Sequence, residues 1–352
     1  MRLVRSILLI AVLCEALQAQ APPPLPKPVS NNSVTSFHVT GGELIFSMLG
    51  IGSGRTWRDI TQDAVVFDSR EKHWKRLPDV PGTSGRLASV AVGANGKVFL
   101  FGGYTVDKDG KEVTLNNVDI YTPAAKAPDK GTWTRGRAIP APVDDSVAVL
   151  YHDRFVILVS GWSVSDNVKA VQVYDIYNNT WHSATPIPGR PVFGHAGGIS
   201  GETLVYCGGA YKPAVGDSDA KYVASDECWH GAIQTEDASR ITWTRLPKHP
   251  GEAQYRMGAS GMGRRIIFSG GTSNPYNYNG IGYNGTPSAP SAVNFAWDLD
   301  TRSWQLLTPD PAPTMDHRAL IRCGRTLCSL GGMTAGQRVT NQIFALDLGT
   351  KK

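Results

Sequence analysis

After residue 30 the chain shows no sustained 3.6-residue apolar period. Short alternating or continuous apolar runs are separated by turn residues instead, which predicts strands and hairpins throughout. One kind of run is strongly apolar and ends in glycine, as in Val98-Phe99-Leu100-Phe101-Gly102-Gly103 and Ile266-Ile267-Phe268-Ser269-Gly270-Gly271. A small-residue run precedes it across a tight turn: Ala88 to Val92 before Ala94-Asn95-Gly96, or Ala259 to Met262.

These runs recur. Trp74, Trp133, Trp181, Trp243 and Trp304 stand 28, 28, 27, 27 and 27 residues ahead of Gly102, Gly161, Gly208, Gly270 and Gly331. In between, the Trp opens a strand, a Leu-Pro or Ile-Pro follows, then a loop, the small-residue strand and the apolar strand. Asp68, Asp175 and Asp298 each lie six residues before a Trp and end a further strand. Each unit therefore holds four antiparallel strands, with the glycines closing the second and the Trp in the fourth. Counting Gly50, Gly102-Gly103, Gly161, Gly208-Gly209, Gly270-Gly271 and Gly331-Gly332 gives six units. Glycine suits these positions because backbones approach closely there and φ > 0 costs it little.

The pattern resembles the Kelch repeat over about residues 35–348, a Gly-Gly after an apolar strand followed by Tyr or Asp and then Trp. The resemblance implies an all-β, six-bladed Kelch-type β-propeller of four-stranded antiparallel blades. The sixth unit lacks its Trp strand. Within the Pro-rich segment 20–34, Pro24-Leu25-Pro26 looks like the end of a fourth strand; the alternative is a linker.

The 352-residue composition fits: 38 Gly, 23 Pro, 9 Trp and 18% charged residues describe a turn-rich β protein. The net charge of +5 is scattered, with no basic run, so a nucleic-acid partner is not expected. Residues 1–19 read as a signal peptide. Arg2 and Arg5 precede the apolar run Ile7 to Cys14 and small residues follow, the run being too short for a membrane span. A secreted or periplasmic monomer is expected. Four cysteines remain, Cys207, Cys228, Cys323 and Cys328, and two local disulfides are the simplest pairing. Asn31, Asn178 and Asn284 head N-x-S/T triplets.

The glycine-to-Trp interval varies, 24, 30, 20, 34 and 33 residues, which places insertions between the second and third strands, on one face. The longest loops run from 209 to 222, with Tyr211, Lys212 and Asp217, and from 272 to 292, with Tyr276 and Tyr278. Tyrosines on Gly-rich loops suit sugars or peptides. Aligning the repeats puts Arg86, Asp145, His195, Arg256, Asp316, His317 and Arg318 at the channel mouth on that face. Arginines there would grip carboxylates. No H-E-x-x-H, C-x-x-C or G-x-S-x-G occurs, so neither metal nor cofactor is expected.

The block from Gly208 to Trp304 is similar in layout to the exported bacterial N-acetylneuraminate epimerases, which resemble this chain as six-bladed Kelch propellers. Gly208-Gly209-Ala210-Tyr211-Lys212-Pro213 matches their segment, except that Ala210 stands where an acidic residue belongs. An acid–base group would then come from Asp316, His195 or His317. Two readings follow: a propeller binding a carbohydrate or protein on its loop-rich face, or a mutarotase acting on a sialic-acid-like sugar acid.

Overall fold

The computed structural model describes residues 21–349 apart from 217 and 219; the expected leader, 1–19, and Asp217 lie outside the described residues. The chain folds as a six-bladed β-propeller, as the repeats predict. Blade 1 comprises Ser33–Val39, Gly42–Met48, Ala64–Asp68 and His73–Arg76; blade 2 comprises Val90–Ala94, Lys97–Phe101, Val118–Ala124 and Ala127–Arg135. Blade 3 comprises Val147–Tyr151, Phe155–Val159, Val171–Asp175 and Thr180–Ala184; blade 4 comprises Phe193–Ser200, Thr203–Tyr211, Cys228–Gln234 and Asp237–Arg245. Blade 5 comprises Gly258–Met262, Arg265–Ser269, Asn294–Asp298 and Ser303–Leu306, and blade 6 comprises Ile321–Cys323, Thr326–Leu330 and Ile343–Ala345. Every blade runs antiparallel from the axis outward.

The repeated residues each have a mechanical task. Asp68, Asp175 and Asp298 cap the outer hairpin: their Oδ1 atoms accept the N–H of Arg70, of Tyr177 and of Asp300. This is the Asx turn for which Asp is favoured. In blades 2 and 4 that hairpin is longer, and Trp133 and Trp243 lie late in nine-residue strands rather than opening them. The indole N–H reaches the previous blade, where Trp133 donates to Pro78 O, Trp181 to Arg137 O, Trp243 to Thr185 O and Trp304 to Pro247 O. Each Trp ring also packs on an aromatic neighbour of its own blade, as Trp181 does on Tyr174 at 4.9 Å. The Trp is thus both apolar filler and cross-blade donor.

The second glycine of each pair, or the single glycine in blades 1 and 3, ties its blade to the next. Gly50, Gly103, Gly161, Gly209 and Gly271 donate to the carbonyls of Arg86, Val143, Val192, Gln254 and Thr314, at 2.8–3.3 Å. Gly332 completes the circle by donating to Val29 at 2.9 Å. At Gly209, φ is +86° and a side chain would press on Phe193 O and His195, so only glycine fits without strain. Near the N-terminus, Trp74 donates to Pro23 O, and Leu25 N–H donates to Asn341 O. The second bond matches those made by Leu77 to Ala64 and Leu307 to Asn294 inside their own blades. Disulfides join Cys207 to Cys228 across neighbouring strands of blade 4, and Cys323 to Cys328 across a hairpin of blade 6.

Candidate functional site

Successive registers lead into the innermost strands on the loop-rich face. The outermost contains Ser30, Leu87, Asp144, Phe193, Tyr255 and Met315, each bridged to the residue after its blade's glycines: Ile51, Tyr104, Trp162, Ala210, Thr272 and Met333. Most of these side chains form one apolar collar around the axis with Tyr276. Asp144 is the exception, an acid in a register otherwise filled by Ser, Leu, Phe, Tyr and Met.

The next register contains Asn31, Ala88, Asp145, Gly194, Arg256 and Asp316, every one with φ between +49° and +74°. Backbone bonds link them around the axis: Asp145 N–H to Ala88 O, Gly194 N–H to Asp145 O, Arg256 N–H to Gly194 O and Asn31 N–H to Asp316 O. Gly, Asn and Asp tolerate this left-handed conformation, whereas for Ala88 and Arg256 it costs about 1–2 kcal/mol each. Side chains hold the ring. Arg256 donates Nε and Nη2 to Asp145 at 3.2 and 2.6 Å, and Nη1 to Asp316 at 3.1 Å. Ser30 Oγ and Asn31 Nδ2 donate to Asp316 at 2.6 and 2.9 Å. Arg318, two registers further in, pairs with Asp145 through Nη1. Two guanidiniums and two carboxylates thus plug the axis, all nearly inaccessible.

Above the plug lies a cavity of about 320 Å³. Its floor is Asp145 and Arg256, and its walls are Asp144 and Trp162 of blade 3, Tyr104 and Glu112 of blade 2, Phe193, Lys221 and Tyr222 of blade 4, and Tyr283 of blade 5. Tyr222 and Tyr283 meet edge to face at 4.7 Å, and Lys221 Nζ sits 5.5 and 5.4 Å from their ring centres. Aromatic walls with a few converging polar groups are what a small polar ligand needs. Asp144 accepts a 2.8 Å hydrogen bond from Thr114 Oγ1 and is 4% exposed. Burial in the collar pushes its carboxyl up to about 7, so it exchanges protons near neutrality.

The sequence-derived candidates divide between plug, core and pocket. Asp145 and Arg256 line the pocket from below, while Asp316 and Arg318 sit behind them in the plug. Arg86 does not reach the mouth: it is one register out, and its guanidinium turns into blade 2 to pair with Asp119 at 2.5 Å. His195 is buried with Nε2 2.9 Å from Val159 O, and burial lowers it to about 4. His317 lies beneath Gly332 with Nε2 2.8 Å from Thr314 Oγ1, and burial likewise lowers it to about 4. Both rings are therefore neutral packing groups at ordinary pH. Tyr276 is wholly buried in the collar, Tyr278 packs half-buried against it, and Tyr211 stacks with Arg190 outside the pocket. Asn31 is buried in the plug, which makes its triplet inaccessible in the folded chain. Of the tyrosines on the 272–292 loop, Tyr283 reaches the pocket, whereas Asp144, Glu112, Tyr104, Trp162, Lys221 and Tyr222 are not among the residues the sequence singles out.

No protein-family model matches the chain. It is similar to curated proteins named N-acetylneuraminate epimerase. That of Salmonella arizonae is 25% identical, with 93% of this chain and 90% of that protein covered. The Salmonella typhi protein is 24% identical at the same coverage, and the Pasteurella multocida protein is 22% identical over 100% of this chain and 99% of its own. The solved structure of YjhT superposes with a TM-score of 0.72 at 16% identity, covering 92% of this chain and 96% of that one.

Proposed function

We propose that the pocket binds a monosaccharide acid and that Asp144 interconverts its anomers. The observation that carries this reading is a buried carboxyl, hydrogen-bonded to Thr114 and pushed up to about 7 by desolvation, in the wall of a pocket that also holds Lys221 and aromatic faces. Opening a hemiketal ring moves one proton from the anomeric hydroxyl and delivers one to the ring oxygen; reclosure on the other face reverses both. A carboxyl whose pKa lies near ambient pH can accept and donate in turn. Lys221 supplies positive charge for the sugar's carboxylate, and the tyrosines supply stacking faces. The volume lies at the small end of ligand cavities, suited to one sugar ring rather than a chain. The relatives named N-acetylneuraminate epimerase support a sialic-acid-like substrate.

The repeat residues support a Kelch-type propeller, and the two disulfides support a secreted or periplasmic setting. No helix among the described residues is long and apolar enough to cross a membrane.

The test adds purified protein to freshly dissolved α-N-acetylneuraminate and follows the anomers by NMR. Equilibration faster than buffer, abolished in Asp144→Asn, is expected. Saturable sugar binding with no acceleration would remove the catalytic half and leave a carbohydrate-binding propeller; neither binding nor acceleration overturns the whole reading.

A further inference from the structure

Between the second and third strands of blade 2, Tyr104–Val106 and Glu112–Thr114 form a small hairpin beside the sugar pocket. Tyr104 stands opposite Thr114, and Val106 opposite Glu112. Residues directly opposite one another share a face of the ribbon, as do alternate residues along each strand. Tyr104 and Val106 are buried in the collar and Thr114 reaches Asp144, so the face that carries Glu112 is the inward one. Val113 takes the outward face and is 45% exposed. The hairpin thus turns an acid toward the protein and a valine toward water, the reverse of what solvation favours.

Glu112 lines the pocket and is exposed, yet the walls around it desolvate the carboxyl enough to raise its pKa. Its charge acts on Asp144 and Tyr104, and on Tyr222 and Tyr283 of blades 4 and 5. Arg256 and Lys221 act on it only through space, and its carboxylate makes no hydrogen bond among the described residues. Arg256 already donates to Asp145 and Asp316, which leaves Lys221 as the ligand-facing cation of the lining. We infer that Glu112 is a specificity-determining residue of this pocket, accepting hydrogen bonds from the sugar's hydroxyls while Lys221 takes its carboxylate. The inference rests on the sugar-acid reading above and narrows it. One available cation faced by an acid suits a singly charged, polyhydroxylated acid and disfavours a phosphate ester of the same sugar.

Titration calorimetry at pH 8 with N-acetylneuraminate and its 9-phosphate ester tests this. Wild type should bind the unphosphorylated sugar about tenfold more tightly than the ester. Glu112→Gln keeps the shape and removes the charge, so it should lose about tenfold in affinity for N-acetylneuraminate and most of the discrimination. Glu112→Asp keeps the charge on a shorter stem and should still discriminate against the ester. Because the carboxylate bonds to nothing in the described protein, Tm should be equal in all three. Unchanged affinity for N-acetylneuraminate in Glu112→Gln, or an ester bound by wild type as tightly as the parent sugar, overturns the inference and leaves the sugar pocket standing. Binding of neither probe by wild type removes the sugar-acid reading and this inference with it.

Discussion

Replacing Asp144 with Asn tests the origin of the pocket's chemistry in a single measurement of stability. Asn matches the carboxyl in shape and can still accept the Thr114 hydroxyl, so packing in the collar is retained. What changes is ionisation. The folded carboxyl is raised from 3.8 to about 7, so its contribution to stability is full below the unfolded value and is lost as pH rises through about 7. Between pH 5 and 8.5 that loss amounts to roughly 2–3 kcal/mol. His195 and His317 act in the opposite direction, because their pKa values are depressed and their contribution is lost as pH falls from 6.5 through about 4. They are common to both proteins and cancel in the difference. Urea unfolding of wild type and Asp144→Asn is therefore compared at pH 5 and 8.5. Between the two, the stability difference should move in the variant's favour by roughly 2–3 kcal/mol, on top of the part already lost between the unfolded value and pH 5. A difference that stays flat with pH would mean that Asp144 ionises as a surface carboxylate does, and the acid–base assignment would fall with it. The wild-type rate of anomer exchange should rise through about pH 7 if the ionised form acts as the base.

Arg86→Met should cost about 1–3 kcal/mol by leaving the buried Asp119 with the half-exposed Arg135 as its remaining ion-pair partner, yet leave sugar affinity intact, whereas Lys221→Met should weaken sugar binding about tenfold with stability unchanged. Denaturant midpoints and titration calorimetry separate the two; equal effects on both readouts would refute the division between plug, core and pocket. Trp181→Phe keeps an aromatic face but loses the bond to Arg137 O, and should lower stability by about 1 kcal/mol. No change in the urea midpoint would show that the cross-blade bond is replaced by water at no cost. The Cys207–Cys228 bridge closes 21 residues and the Cys323–Cys328 bridge 5, so deleting the first should cost about 3 kcal/mol and the second about 2. The reverse order, read by Tm of the double-Ala variants, would count against loop closure as their main contribution.

The fold was legible because the residues that build it act locally and six times over. A glycine donating to the next blade, an Asp capping a hairpin and a Trp spanning to the previous blade all recur at nearly fixed spacing. The loop-rich face followed from the same arithmetic, since only the interval between the second and third strands was free to vary widely. The long outer hairpins of blades 2 and 4 were not anticipated, because they obscure the Asp-to-Trp spacing that marks the others.

The site was less legible, and the reason lies in the choice of signal. Residue type alone drew attention to Arg, His and Asp near the channel, which led to Arg86, His195 and His317. Each of these turns to a partner inside the protein: Arg86 to Asp119, His195 to Val159 O, and His317 to Thr314. The informative signal was departure from register. Aligned on the glycine bond, the six strand starts read Ser30, Leu87, Asp144, Phe193, Tyr255 and Met315, and an acid stands out among them. Three registers further in, they read Ser33, Val90, Val147, Ala196, Gly258 and Arg318, and an arginine stands out in the same way. In a repeat protein each register is a control experiment run six times, since the scaffold presents the same backbone to every copy. A charged residue in an otherwise neutral, buried register incurs a desolvation cost that its five counterparts avoid. The two departures bracket the ionic plug: Asp144 faces the pocket above it, and Arg318 closes on Asp145 and Asp316 from below.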